Sequence, residues 1–131
     1  MPQSIMPKSI INGAQQLADR YVAVWNETDP AVRRRTIEQL WTEDGQHHAA
    51  ARQAIGFAAL EDRVTRSHDK NVGDLGYRFR AVQDARRLHD AVTFHWQMLS
   101  SDSETVLASG MMFLIVNDQE RIRIDYQFVL S

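Results

Sequence analysis

The spacing of apolar residues changes once along this sequence, and the change limits the folds available to it. Before Tyr77 apolar residues recur at steps of three and four, and from Tyr77 onward they recur at every second position. A period near 3.6 places apolar side chains on one face of a helix, whereas a period of 2 places them on one face of a strand. The sequence therefore predicts helices followed by a meander of strands, which is an α+β fold.

Three helices are predicted before the period changes. The first covers residues 9–27, and its apolar stripe consists of Ile10, Ala14, Leu17, Tyr21, Val24 and Trp25. The second begins at Asp29 and Pro30, because a carboxylate can cap the first turn and proline loses no hydrogen bond there, and it runs to about Trp41. The third helix follows Gly56.

The strands show which faces are buried. Residues 43–45 break the second helix, and a short strand is predicted over 46–50. Residues 105–116 are apolar on both faces, which predicts that this strand is covered on both sides. In the last strand the odd positions are polar and the even positions are apolar. The polar row is Arg121, Arg123, Asp125 and Gln127, and the apolar row is Ile122, Ile124, Tyr126, Phe128 and Leu130.

Composition excludes several classes of function. The 131 residues suit a single domain over residues 1–131, and 15 Lys and Arg against 17 Asp and Glu leave no positive excess for nucleic acid or a membrane surface. Cysteine is absent, which excludes a thiolate nucleophile and agrees with a reducing compartment. With neither a signal peptide nor a membrane-spanning stretch in the sequence, we expect a cytoplasmic protein. No phosphate loop or dinucleotide motif occurs, so no cofactor is expected.

Three short motifs carry a resemblance to a known family. Arg20-Tyr21-Val22 lies in the first helix, Leu40-Trp41-Thr42-Glu43-Asp44 follows the second, and Arg121-Ile122 opens the last strand. With this order of elements the chain resembles the nuclear transport factor 2-like superfamily, in particular SnoaL-like proteins, which include polyketide cyclases. It is more distantly similar to ketosteroid isomerase. The resemblance implies a cone-shaped curved antiparallel sheet, with three helices from the N-terminal half enclosing a cavity.

The resemblance also orients the strands. It places these residues toward the cavity: Tyr21, Trp25, His47, Ala49, Phe94, Trp96, Met98, Gly110, Met112, Leu114, Asp125 and Gln127. The apolar row of the last strand then lies on the convex face, which has no second layer in a single sheet. We therefore expect a homodimer that packs sheet against sheet.

The chain departs from ketosteroid isomerase at two of three catalytic positions. Tyr21 matches the tyrosine that donates to the oxyanion, but the general base is replaced by Ala49 and the neutral acid by Met112. Steroid isomerisation is therefore not expected. The resemblance to SnoaL-type cyclases instead implies a mechanism in which one aspartate in the cavity moves a proton, and Asp125 could be that aspartate.

Two alternatives remain open for Asp125. In an apolar cone it could act as acid or base near neutral pH, or Arg123 on the same face could hold it in a structural ion pair. His47 is the better partner of the pair His47-His48, because neighbours in a strand point to opposite faces. No third ligand accompanies His47 and Asp125, so no metal site is predicted.

Two functions are compatible with these residues. The first is a cofactor-free isomerase, cyclase or hydratase acting on a small, apolar, carbonyl-bearing substrate, with Asp125 as acid or base, His47 as its partner and Tyr21 as a hydrogen-bond donor. The second is a non-catalytic module that binds a lipophilic ligand or serves to dimerise. In either case the pocket is expected to be lined by Trp25, Trp41, Phe94, Trp96, Met98, Met112, Arg123 and Gln127.

Overall fold

The computed structural model describes the backbone of residues 8–131 and the side chains of residues 13–131. Its helices are α1 (Lys8–Asn26), α2 (Pro30–Leu40) and α3 (Phe57–Ser67), and α3 continues into a wider π-helical segment at His68–Asp74. Asp29 caps α2 as predicted, since its carboxylate accepts from the backbone N–H of Ala31 at 2.9 Å. The side chain of Ile10, first in the predicted stripe of α1, lies outside the described residues. Within the described part, none of the helices has the length and apolar character needed to cross a membrane.

Seven strands form one open sheet. They are β1 (Trp41–Ala49), β2 (Arg52–Ile55), β3 (Arg78–Ala81), β4 (Arg86–Leu88), β5 (Ala91–Leu99), β6 (Val106–Val116) and β7 (Ile122–Val129). Their order is β2-β1-β7-β6-β5-β3, and β4 also pairs with β5. With the helices this is the predicted α+β, cone-like fold.

The sheet is mixed, so the prediction of a wholly antiparallel sheet is wrong at one place. β1 runs parallel to β7, while the other pairs are antiparallel. The later strands follow one another through turns, which impose antiparallel pairing. β1 instead meets β7 across more than 70 residues of chain, so no hairpin sets its direction.

β1 is longer than predicted. Residues 43–45 were predicted to separate the second helix from a strand over 46–50, but they lie inside β1, where the register with β7 shifts between Trp41 and Gln46. Gly45 is buried, and a Cβ at this position would come within 2.8 Å of the Trp41 ring. The glycine therefore permits a close approach of the strand to the indole, and does not end the strand.

The core lies between the helices and the inner face of the sheet. From Gly110 onward in β6 the even positions, such as Met112 and Leu114, are buried, and the odd positions, such as Phe113, are only half-buried. Within one copy of the chain, the outer face of this strand is therefore covered only in part. On the same outer face of β7, Tyr126 is 39% and Phe128 is 47% exposed.

A register shift changes the inward row of β7. Ile115 pairs with Ile124 but Val116 pairs with Ile122, so β7 has one extra residue between these pairs. A bulge of this kind interrupts strict alternation. As a result Ile122 and Asp125 are both fully buried, while Arg123 is exposed. The prediction that Asp125 faces inward is confirmed, and the prediction that Arg123 shares its face is wrong.

Candidate active site

His47 and Asp125 form a buried pair across the two parallel strands. They are register partners on β1 and β7, both have 0% exposure, and His47 Nδ1 lies 2.6 Å from Asp125 Oδ1. An ionised carboxylate only accepts hydrogen bonds, so in this arrangement Nδ1 carries the proton. In the neutral form of such a ring the lone pair is on Nε2. That atom is buried and has no hydrogen-bond partner among the described residues.

Trp41 completes the surroundings of the carboxylate. Its indole Nε1 donates to Asp125 Oδ2 at 3.0 Å, so each carboxylate oxygen has one close donor. Trp41 was predicted to form part of the pocket wall, but it is fully buried and does not line the pocket. Trp41 is the first residue of β1, and through this hydrogen bond its indole holds Asp125 in place.

Tyr21 connects this pair to the pocket. Its hydroxyl lies 3.5 Å from both His47 Nδ1 and Asp125 Oδ1, which is the outer limit of a hydrogen bond. Burial, and then the nearby charge of Asp125, raises the pKa of Tyr21 well above its usual value of 10.0. The positive charge of Arg63 opposes part of this rise in the pKa of Tyr21. Tyr21 therefore stays protonated and can donate to a ligand oxygen.

A pocket of about 350 Å³ lies beside this cluster. Of the eight residues predicted to line it, five do so: Trp25, Trp96, Met98, Met112 and Gln127. Tyr21, which was predicted as a hydrogen-bond donor, also lines it. Phe94 does not, because it is buried behind Tyr21, with the two ring centres 5.7 Å apart in an edge contact. His47 and Asp125 are also absent from the lining. Tyr21 and Trp25 contact His47 and line the pocket as well.

Arg123 takes no part in this site. It borders a surface depression with Asp90 and Asp118 on another part of the molecule. Of the two alternatives left open for Asp125, the ion pair with Arg123 is not formed, since the close partners of Asp125 are His47 and Trp41. The β7 bulge explains the difference, because the two side chains point to opposite faces of the sheet.

Four basic residues at the pocket were missed by the sequence reasoning. Arg63, Arg66 and Lys70 come from α3 and the segment after it, and Arg52 comes from β2. The guanidinium of Arg63 lies 5.1 Å from the centre of the Trp25 ring, a cation–π contact. The spacing of residues 63, 66 and 70 was a usable signal, because steps of three and four fall on one helix face. Among the described residues, no group of three His, Asp or Glu side chains is arranged to hold a metal ion.

Comparison with known proteins shows which solved structures share this fold. No protein-family model and no curated protein matches the chain. A SnoaL-like family protein from Agrobacterium tumefaciens, provisionally described as an isomerase, superposes with a TM-score of 0.83 at 24% identity, covering 92% of this chain and 99% of the other. A nuclear transport factor 2-like protein of unknown function from Mesorhizobium loti gives a TM-score of 0.67 at 18% identity, covering 96% and 98%.

A third similar structure comes from Sinorhizobium meliloti and is provisionally described as a polyketide cyclase. It gives a TM-score of 0.65 at 8% identity and covers 89% of this chain and 97% of the other. Identities this low establish architecture and not activity. The chain has the nuclear transport factor 2-like fold, in the form found in SnoaL-like proteins.

Proposed function

We propose that the protein is a small-molecule enzyme of SnoaL-like type that moves a proton next to a carbonyl group without help from a cofactor. The observation that carries this proposal is the 2.6 Å contact between His47 Nδ1 and Asp125 Oδ1. A carboxylate that fixes the protonated nitrogen of an imidazole leaves the other nitrogen as the base. Asp125 is in this scheme a positioning residue, and His47 is the catalytic base.

Three side chains take part in the proposed proton transfer. His47 Nε2 takes a proton from the carbon next to the carbonyl, and the electron pair of that C–H bond forms an enolate. The Tyr21 hydroxyl donates to the enolate oxygen, which suits a tyrosine that stays protonated. The imidazolium, paired with Asp125, then returns the proton to a different carbon, which completes an isomerisation, or to the product of an enolate attack, which completes a cyclisation.

The experiment is a deuterium-exchange assay, since it needs no knowledge of the product. A panel of apolar ketones and β-keto esters is incubated with the protein in D₂O, and loss of the proton signals next to the carbonyl is followed by NMR. His47→Asn keeps a donor close to the position of Nδ1 but removes Nε2, and it should lower exchange by about 10²–10⁴-fold. His48→Gln is the matched control, because His48 is the next residue on β1 and stacks on Tyr126 on the other face.

A second function is favoured by a different observation. Neither His47 nor Asp125 lines the pocket. The lining residues Tyr21 and Trp25 contact His47. A protein that only binds a ligand needs no exposed base. In that case panel compounds bind, no exchange above the background is seen, and binding is the same in His47→Asn and His48→Gln. Exchange that survives unchanged in His47→Asn refutes the catalytic proposal.

A further inference from the structure

The pocket concentrates positive charge in a protein that carries a net charge of -2. Arg52, Arg63, Arg66 and Lys70 line it, and no Asp or Glu is among the described lining residues. Residues 1–12, whose side chains are outside the description, contain no acidic residue in the sequence. Like charges gathered around one concave site repel each other, and this arrangement is stabilised when an anion enters.

Arg63 is the most informative of these residues. Arg66 forms an ion pair with Asp62 at 2.9 Å, but among the described residues Arg63 has no such partner, and its Nε is buried without a hydrogen bond. Burial, followed by the positive charge of Arg52, lowers the pKa of Arg63 below its usual range. An arginine held half-buried against Trp25, with an unused donor, is suited to bind a planar oxyanion.

The remaining unpaired groups agree with this reading. The buried side-chain atoms that lack partners at the pocket lining are Trp25 Nε1, Trp96 Nε1 and Arg63 Nε. All three are donors, and buried donors without partners are costly. With a small turn of these side chains toward the pocket, a ligand rich in acceptor oxygens would pair them, whereas a hydrocarbon would leave them unpaired. The apolar part of the lining, which includes Met98 and Met112, can contact the apolar part of the same ligand.

We propose that the pocket binds an amphipathic organic acid, with its oxyanion at Arg63 and Arg52 and its apolar body against Trp25, Trp96 and Met98. This inference rests on the proposal that the pocket is the ligand site, and it is independent of catalysis. It changes the substrate class expected from the sequence, which was simply apolar. An oxo acid would satisfy both proposals, because its carbonyl can accept from Tyr21 and its acid group can bind Arg63.

Two fluorescent probes of nearly equal shape test the inference. Anilinonaphthalene sulfonate has an apolar body and an anionic group, and phenylnaphthylamine is the same body without the charge. The charged probe should bind the wild-type protein about tenfold more tightly or better, since charge-assisted hydrogen bonds contribute on that scale. Arg63→Gln and Arg52→Gln should each remove most of this preference and leave the uncharged probe unaffected. Arg35→Gln removes the same charge from an exposed site on α2 and should change neither.

Displacement of the charged probe identifies the head group. Decanoate and decyl phosphate should displace it and methyl decanoate should not, and the more effective acid shows whether carboxylate or phosphate is preferred. Equal binding of both probes, or a preference that Arg63→Gln and Arg52→Gln leave intact, overturns the inference and leaves the pocket as an apolar ligand site. If neither probe binds, the pocket is not a ligand site and the proposed function fails with it.

Discussion

Replacing Asp125 by Asn tests the buried pair directly. The aspartate is fully buried and accepts from His47 Nδ1 at 2.6 Å and from Trp41 Nε1 at 3.0 Å. An asparagine of the same shape has one accepting oxygen and one donating nitrogen. The oxygen can accept from Trp41, and the nitrogen must then face His47. The imidazole can satisfy this only by moving its proton from Nδ1 to Nε2.

The magnitude follows from the two contacts. Each charge-assisted hydrogen bond contributes about 1.5–3 kcal/mol and each neutral one about 0.5–1.5 kcal/mol, while removing a buried charge recovers some desolvation. We expect Asp125→Asn to lower the free energy of unfolding by about 1–3 kcal/mol. Asp125→Leu leaves both donors unpaired and should cost more, about 3–5 kcal/mol. Asp44→Asn is the control, because Asp44 is exposed on β1 and, among residues 13–131, accepts only from Thr42, so the change should stay within about 0.5 kcal/mol.

Two measurements check this reasoning. Urea unfolding at one protein concentration gives the stabilities of the wild type and the three variants, and ¹⁵N NMR of histidine-labelled protein reports which ring nitrogen of His47 carries the proton. The wild type should show a protonated Nδ1 and Asp125→Asn a protonated Nε2. If Asp125→Asn has the stability of the wild type, or if its His47 keeps the proton on Nδ1, the carboxylate does not orient the imidazole.

Three further outcomes are expected. Gly110→Ala should destabilise the protein by about 1–3 kcal/mol in urea unfolding, because a Cβ there would lie 2.1 Å from the Phe128 carbonyl oxygen and 2.4 Å from the Trp96 ring; wild-type stability would contradict the packing. The pKa of Tyr21 is raised above 10.0, so the unfolded chain loses this proton first. The contribution of Tyr21 to the free energy of unfolding is therefore constant below that pH and falls above it. Tyr21→Phe should make the alkaline fall less steep, and an unchanged slope would argue against the burial effect. We also propose that the convex sheet face pairs two copies of the chain: light scattering should show a dimer at micromolar concentration and a monomer for Tyr126→Glu, and a monomeric wild type would refute the pairing.

Local periodicity accounts for the elements that could be predicted. The stripe of α1 and the alternation of β5 depend on residues that are close in sequence, so each pattern reports its own helix or strand. The cap at Asp29 has the same origin, since its partners lie two and three residues away. Orientation of the strands came from the family resemblance, and with it the inward placement of His47 and Asp125.

Features that depend on distant pairing could not be read in this way. The contact between His47 and Asp125 joins residues 78 positions apart, and its geometry follows from the parallel register of β1 and β7. The bulge that turns Arg123 outward arises where β7 adjusts to its neighbour strand. Arg52 reaches the pocket from β2, which was not predicted as a strand.

The amino-acid sequence alone was sufficient for the class of the fold, because the period of apolar residues is a local property that each element shows by itself. Tertiary packing was needed for the chemistry of the pocket. It places Arg52 and Arg63, from separate elements, at one pocket. It also brings Trp41 and His47 to the carboxylate of Asp125. The energy of such contacts exists only when distant segments are held within hydrogen-bond or charge range, and no short stretch of sequence contains that information.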